Sequence, residues 1–188
     1  LLVWAAPATP AAPFGDAAVF VWRAAAPVGL VWFVNLTNFM DGMDGMTVVG
    51  LGLPALFAAL ANLAGQGDAA VGLVCLAALG GLIGFAPFNA PRARLFLGDV
   101  GSLSLGLIVG VGFLALAARG HFVAALIAPL YYIADATITL FLRWRRGENL
   151  AQAHRSHFYQ RAVTGGMSAW GVLARVGALN AALAALAA

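Results

Sequence analysis

The fold is decided by residues 46–64, MTVVGLGLPALFAALANLA, a run without a charged side chain. A helix needs about 20 consecutive apolar residues to cross the hydrocarbon core of a bilayer, and this run is close to that length. The whole chain has the same character, since 63% of its residues are hydrophobic and only 9% are charged. A soluble domain would have about a quarter of its residues charged. The sequence therefore predicts an all-α, polytopic membrane protein.

Five further apolar runs flank this one, at about residues 17–36, 69–87, 103–118, 122–142 and 166–186. Each carries at most one charged side chain. Together the runs predict about six transmembrane helices within a single integral-membrane domain that covers residues 1–188.

Polar residues are concentrated between these runs in three segments: residues 35–45 (NLTNFMDGMDG), 88–102 (FNAPRARLFLGDVGS) and 143–161 (RWRRGENLAQAHRSHFYQR), here called the first, second and third polar segments. They follow the first, third and fifth spans, so alternating crossings place all three on one side of the membrane. They hold seven of the ten arginines, and an excess of arginine marks the cytoplasmic side. The pattern predicts one cytoplasmic pocket lined by all three segments.

The first polar segment repeats a polar side chain every three residues, at Asn38, Asp41 and Asp44. If the preceding helix continues this far, the three side chains share one face. Oxygen donors of this kind suit Mg²⁺ or the donor groups of a base or sugar. The alternative is a helix end that bears solvated polar groups.

The second polar segment places Asp99 in the string GDVGS, directly before an apolar span. A carboxylate at the membrane edge is well placed to hold Mg²⁺ against a diphosphate, and Ser102 is expected to cap the following helix. The alternative is that Asp99 is itself only a helix cap.

The third polar segment contains two histidines three residues apart, His154 and His157, which are expected to face one pocket. Arg155 and Arg161 lie beside them, where they would neutralise phosphate charge. A loop on the positive side of the membrane explains the arginines alone, but not the histidines. Zinc is excluded because the segment offers too few ligands.

One carboxylate, Asp135, lies well inside a predicted span. Ionisable groups in a membrane are costly, so they are usually functional or paired. Arg143 and Arg145 are the expected partners.

The three segments together resemble the polyprenyl-phosphate N-acetylhexosamine-1-phosphate transferases, also called glycosyltransferase family 4. Residues 38–45 (NFMDGMDG) resemble the family pattern N-x-x-D-G-x-D-G, and residues 88–102 resemble F-N-x-P-x-A-x-x-F-x-G-D-x-G-S. Residues 153–161 (AHRSHFYQR) resemble the form found in the branch that starts O-antigen and related surface polysaccharides.

This resemblance implies transfer of N-acetylhexosamine-1-phosphate from a UDP-sugar to undecaprenyl or another polyprenyl phosphate, with release of UMP. It implies an enzyme of the bacterial inner membrane with its active site in the cytoplasm, no nucleic-acid partner, and allows a homodimer. The implied roles are Mg²⁺ binding (Mn²⁺ as an alternative) by Asp99 with Asn38, nucleotide binding by Asp41 and Asp44, diphosphate contacts by His154, Arg155 and His157, and substrate binding by Arg161.

Members of this family are about twice as long as this chain and carry an adjacent Asp pair in their first half, which is missing here. The resemblance therefore predicts a fragment without the amino-terminal helices, inactive or unstable alone. The competing hypothesis is a non-enzymatic channel or transporter subunit, which would place polar residues deep within several spans. Only Asp135 is deep among the carboxylates, which favours the enzyme.

Overall fold

The computed structural model describes residues 15–150, 152 and 154–188, with side chains from residue 21 onward. Ala153 of the third segment's motif lies outside the described residues. The described residues form helices and connecting turns, without a β-strand. The helices are α1 (Gly15–Met40), α2 (Met46–Ala61), α3 (Ala69–Asn89), α4 (Gly98–Ala118), α5 (Phe122–Ile127), α6 (Leu130–Arg145), α7 (Phe158–Thr164) and α8 (Ala169–Ala187), and a π-helical turn, Asn62–Gln66, extends α2.

Four of these helices are long and apolar enough to cross a membrane: Met46–Gln66, Ala69–Asn89, Gly98–Ala118 and Ala169–Ala187. They correspond to the second, third, fourth and last predicted spans. The first predicted span lies within α1, which has 26 residues. The prediction of an all-α, polytopic membrane protein is confirmed.

The fifth predicted span is not one helix, so this part of the prediction is wrong. Helix α5 ends at Ile127 and α6 begins at Leu130, with Ala128 and Pro129 in the turn between them. Proline has no N–H to donate to the preceding turn, and its ring clashes with the carbonyl four residues earlier. Since α5 has six residues, at 1.5 Å per residue it rises only about 9 Å and cannot cross a bilayer.

The bundle is organised around α2, which packs against α3, α4 and α8. Its buried face is made of small and apolar side chains, including Leu51, Ala55 and Ala58. Small residues let helix backbones approach closely, which is how membrane helices gain packing energy.

Asn62 links three helices by hydrogen bonds at the end of the bundle opposite the polar segments. Its Nδ2 donates to the carbonyls of Ala58 (2.7 Å) and Gly112 (3.1 Å), and its Oδ1 accepts from the Asp68 N–H (2.8 Å). This fully buried amide joins α2 and α4 to the start of α3. All its hydrogen bonds go to backbone atoms, so it is a structural polar group within the bundle.

The polar segments meet at the other end of the bundle. The last turn of α1 contacts the first turn of α4, and the turn between α1 and α2 contacts both the end of α3 and the start of α7. The candidate functional residues therefore come from stretches that are far apart in the chain.

Candidate active site

Asn38 and Asp99 are joined directly across α1 and α4. Asn38 Nδ2 donates to Asp99 Oδ1 and to Ser102 Oγ, both at 2.9 Å. Ser102 is buried inside α4, so the expectation that it caps this helix is wrong. Asp99 lies in the first turn of α4, where the helix dipole favours a negative charge, and it is exposed.

Asp41 and Asp44 do not continue the helix that carries Asn38, because α1 ends at Met40. The shared helical face considered for these three residues is therefore not formed. The chain instead turns sharply through Gly45, which has φ 74° and precedes α2. All three side chains nevertheless reach the same cavity.

Asp41 is held by the start of α2, where its Oδ1 accepts a hydrogen bond from the Thr47 hydroxyl. Burial raises the pKa of the Asp41 carboxyl above its ordinary value, and the nearby negative charge of Asp99 adds to this. The Thr47 hydrogen bond opposes the rise. Asp41 therefore gives up its proton less readily than a free aspartate.

Asp44 connects the first and second polar segments. Its Oδ2 accepts the backbone N–H groups of Arg92 and Ala93, both at 3.0 Å. Arg92 has φ 73°, a conformation that is uncommon for a residue with a side chain. Asn89 adds a second connection, since its Oδ1 accepts from the Gly45 N–H at 2.9 Å. Asp44 thus fixes the loop that leads to Asp99.

These side chains line a cavity of about 370 Å³ at the end of the bundle, here called the carboxylate cavity. Cavities of this size hold small-molecule ligands and cofactors. Its lining is Asn38, Asp41, Gly42, Met43, Asp44, Asn89, Phe96, Leu97, Gly98 and Asp99.

The donor set of the carboxylate cavity fits Mg²⁺. Both hydrogen bonds of Asn38 use its Nδ2, and no described residue donates to its Oδ1. Within the described ranges, no group of three or more His, Cys, Asp or Glu side chains is arranged to hold a metal ion. Mg²⁺ suits such a sparse site, because it is usually held by one or two carboxylates together with substrate phosphates.

Asp135 anchors the third polar segment to α6. It is 2% exposed, and its Oδ1 accepts from the Phe158 N–H at 3.1 Å and is 3.0 Å from His157 Nδ1. The hydroxyls of Tyr131 (3.2 Å) and Thr139 (3.3 Å) also donate to this carboxylate. His157 is buried as well, so this is a closed polar network between two elements.

The prediction that Arg143 or Arg145 pairs with Asp135 is therefore wrong. Arg143 is bonded to a different carboxylate, with its Nε 2.8 Å from Glu148 Oε2. The true partner of Asp135 lies 22 residues further along the chain, after a loop whose conformation hydropathy does not encode.

Tyr159 connects the first and third polar segments, a role that the sequence did not reveal. Its hydroxyl oxygen accepts the Gly42 N–H at 3.1 Å, and its ring stacks on His157 with centroids 5.7 Å apart. A Cβ atom at position 42 would overlap the Tyr159 hydroxyl, so this contact requires glycine. The carboxylate cavity is thereby fixed to α7.

The carboxylate cavity is lined by residues of the first and second polar segments, and no described residue of the third segment is among its lining. Arg155 and Arg161 line a second cavity of about 330 Å³, together with Arg143 of α6 and Arg146, which directly follows α6. We call it the arginine cavity. The proposed diphosphate contacts of these side chains remain predictions.

His154 lies beside His157 within the third polar segment, with ring centroids 4.9 Å apart. Its Nδ1 is 2.8 Å from Ser156 Oγ. Burial lowers the pKa of His154, and the positive charge of Arg143 lowers it further. His154 therefore takes up a proton less readily than a free imidazole.

Comparison with known proteins agrees with the motifs. Residues 8–117 match glycosyl transferase family 4, a range that contains the first and second polar segments. The chain is 39% identical over 114 residues to the phospho-N-acetylmuramoyl-pentapeptide-transferase of Limosilactobacillus fermentum, covering 61% of this chain and 34% of that protein. It is 38% identical over 113 residues to the Enterococcus faecalis protein of the same name, covering 59% and 34%.

A longer match, at 32% identity over 149 residues, is to the phospho-N-acetylmuramoyl-pentapeptide-transferase of Rhodopseudomonas palustris and covers 69% of this chain and 41% of that protein. The chain thus spans between a third and about two fifths of the length of these relatives. None of the three names refers to O-antigen, so the expected branch stays a prediction. The motifs, the cavity that joins two of them and the match over residues 8–117 lead to one conclusion: the chain belongs to glycosyl transferase family 4.

Proposed function

We propose that this protein transfers a phospho-N-acetylhexosamine unit from a UDP-linked donor to a polyprenyl phosphate in the bacterial inner membrane. The observation that carries the proposal is the carboxylate cavity, in which Asn38 of α1 meets Asp99 of α4 at one end of a membrane bundle. The names of the relatives support the same reaction class, since each is a phospho-sugar transferase.

In the proposed reaction, an oxygen of the polyprenyl phosphate attacks the β-phosphorus of the UDP-sugar. The bond from that phosphorus to the oxygen of UMP breaks, and UMP leaves. Phosphoryl transfer of this kind depends mainly on positioning and on neutralising charge. A Mg²⁺ ion, or Mn²⁺, held by Asp99 and the Oδ1 of Asn38 would neutralise charge on the donor diphosphate.

The protein groups have separate tasks in this proposal. Asn38 orients the Asp99 carboxylate through its Nδ2, and Ser102 holds the same amide in place. Asp44 shapes the nucleotide side of the cavity by fixing the second polar segment. Asp41 lines the cavity beside them with an acceptor oxygen held by Thr47.

The membrane setting explains how both substrates reach one site. The lipid acceptor stays in the bilayer beside the apolar helices, and the soluble donor enters from the cytoplasm. The concentration of arginine in the polar segments supports a cytoplasmic site.

Two UDP-linked donors are compatible with the proposed reaction. The AHRSHFYQR string supports UDP-N-acetylhexosamine and the start of O-antigen-type synthesis. The relatives' names support a UDP-N-acetylmuramoyl-pentapeptide donor instead. We favour the first form, because the string lies in the third polar segment, beyond the residues that match the family as a whole.

The test uses membranes that contain the full-length protein, undecaprenyl phosphate and either UDP-N-acetylglucosamine or UDP-N-acetylmuramoyl-pentapeptide. We expect a lipid-linked sugar diphosphate and UMP, formed only with Mg²⁺ or Mn²⁺. Asp99→Asn should reduce the rate by at least about 100-fold, comparable to removing one preorganised charge-stabilising group. The matched control is Asp68→Asn, because Asp68 caps α3 at the other end of the bundle.

Full transfer activity in the Asp99→Asn variant would overturn the proposed site. A lack of lipid product with every donor, together with Asp99-independent movement of a solute across the membrane, would favour the transporter hypothesis.

A further inference from the structure

The arginine cavity lies beside α7, apart from the carboxylate cavity. Phe158 and Arg161 of α7 line the arginine cavity, whereas Tyr159, between them in sequence, contacts Gly42 of the first polar segment. None of the three aspartates of the carboxylate cavity lines the arginine cavity. The short helix α7 therefore separates two sites of opposite charge.

Arg143 gives this cavity a buried donor that is not used. It is 4% exposed, its Nε bonds to Glu148 at 2.8 Å and its Nη2 donates to the Asn149 carbonyl at 2.8 Å. Its Nη1 is buried and has no hydrogen-bond partner among the described residues. An unpaired buried donor is unfavourable, and more so on a charged group. An anion in the cavity would supply the missing acceptor.

The charges around the cavity point to an anionic ligand. Four guanidinium groups line it, from Arg143, Arg146, Arg155 and Arg161. The carboxylate bonded to them is that of Glu148, which lies 2.8 Å from Arg143 and 3.8 Å from Arg146. Three positive charges are therefore in excess, and the planar forks of arginine match the oxygens of a phosphate group.

The surroundings of the cavity indicate that the phosphate is carried by a lipid. Phe141 and Trp144 of α6 are 51% and 64% exposed, with ring centroids 5.9 Å apart. Phe158, which lines the cavity, is 44% exposed. Exposed aromatic rings beside arginines are typical of the membrane–water interface, where lipid phosphates lie.

We propose that the arginine cavity binds the phosphate of an anionic membrane lipid, at a site distinct from the carboxylate cavity. The site rests on Arg143 and Arg146, which precede the AHRSHFYQR string and belong to none of the three motifs that resemble the family. It goes beyond the transfer reaction, because binding there requires neither the donor nor Asp99.

The test measures lipid binding to the purified full-length protein in an uncharged detergent by native mass spectrometry. The probes are undecaprenyl phosphate and phosphatidylglycerol as lipid phosphates, phosphatidylcholine as a lipid without net charge, and inorganic phosphate as a soluble source. Phosphatidylglycerol should bind with one-to-one stoichiometry, more tightly than phosphatidylcholine and without displacement by an equal concentration of inorganic phosphate. Binding of undecaprenyl phosphate alone would overturn the proposal, because that lipid is the acceptor of the proposed reaction.

The decisive variants are Arg146→Gln and Arg145→Gln, which make the same charge change on neighbouring exposed residues at the end of α6. Arg146 lines the cavity, whereas Arg145 is not among its lining residues. Arg146→Gln should weaken lipid binding about fivefold, the effect of one arginine near an anionic lipid surface. Arg145→Gln should change it less than twofold.

Equal weakening by the two variants would overturn the proposal in favour of diffuse attraction to a positive face. Displacement by inorganic phosphate, or the absence of any lipid complex, would also overturn it. Transfer activity does not enter this measurement, so its outcome is independent of whether the proposed reaction is correct.

Discussion

Asp135 offers the sharpest test of how the third polar segment is held. Its buried carboxylate accepts from the Phe158 N–H and from the hydroxyls of Tyr131 and Thr139, and it bonds His157 Nδ1. Asp135→Ala would leave all of these groups without their acceptor. Each buried group that loses its hydrogen-bond partner costs about 1–3 kcal/mol, and more where a charged group is involved.

We expect Asp135→Ala to lower the free energy of unfolding by about 4 kcal/mol, because the two hydroxyls can turn to other acceptors whereas His157 and the Phe158 N–H cannot. Asp135→Asn keeps an oxygen at the Oδ1 position, so its cost should be about 1–2 kcal/mol. For a chain of this size, 1 kcal/mol corresponds to about 2–4 °C in melting temperature. The alanine variant should therefore melt about 8–16 °C lower than the wild type.

The assay is thermal unfolding of the purified full-length protein in detergent, combined with limited trypsin digestion below the melting temperature. The alanine variant should be cut faster at Arg155 and Arg161, since α7 loses its attachment to α6. Thr139→Val is the control, because it removes only the longest of these hydrogen bonds. A loss below about 1 kcal/mol for Asp135→Ala, or equal effects of alanine and asparagine, would show that the Asp135 carboxylate does not hold the third polar segment in place.

Further predictions concern Asp41 and the packing of α2. Because burial raises the pKa of Asp41, the folded protein loses stability as pH rises through that pKa and the carboxyl ionises. Asp41→Asn can still accept the hydrogen bond from Thr47, so it should melt at a higher temperature than the wild type at pH 7. This difference should disappear below about pH 4, where the wild-type carboxyl is protonated. As pH falls, Asp41 should also take up a proton at a higher pH than an ordinary aspartate does, and Mn²⁺ should then bind less tightly. A measurement of Mn²⁺ affinity against pH checks this. Gly50→Ala would overlap the buried Tyr132 ring and should cost about 1–3 kcal/mol in thermal unfolding, whereas Gly52→Ala, with nothing within 4 Å, should gain about 0.5–1 kcal/mol.

The bundle was largely predictable because its boundaries have local causes. The turn that ends the second span contains Gly65, at φ 89°, and is followed by Asp68, whose side chain caps α3. Such signals act over a few residues, so α3 begins at Ala69 as predicted. The break in the fifth span was missed because Ala128 and Pro129 are themselves apolar, so hydropathy does not change there. A proline alone does not mark the end of a helix either, since Pro54 lies inside the continuous helix α2.

The site was predictable only in part. Asn38 and Asp99 could be grouped because each belongs to a recognisable string, and the structure brings them within hydrogen-bonding distance. The contact of Gly42 with Tyr159 joins residues 117 positions apart and depends on how α7 packs. The position of the arginine cavity apart from the carboxylate cavity likewise depends on the side of α7 that each side chain occupies. Residue spacing in the irregular segment before α7 does not determine that side.

In the proposed function, Asn38 and Asp99, 61 residues apart, form one metal site for a nucleotide phosphate. The most direct measurement is electron paramagnetic resonance of Mn²⁺ with UDP and the full-length protein, which separates the immobilised complex from the free one. We predict one immobilised Mn²⁺–UDP complex per protein, lost in Asp99→Asn, weakened in Asn38→Ala and retained in Asp68→Asn. An immobilised complex of undiminished affinity in Asp99→Asn would show that Asp99 does not hold the metal.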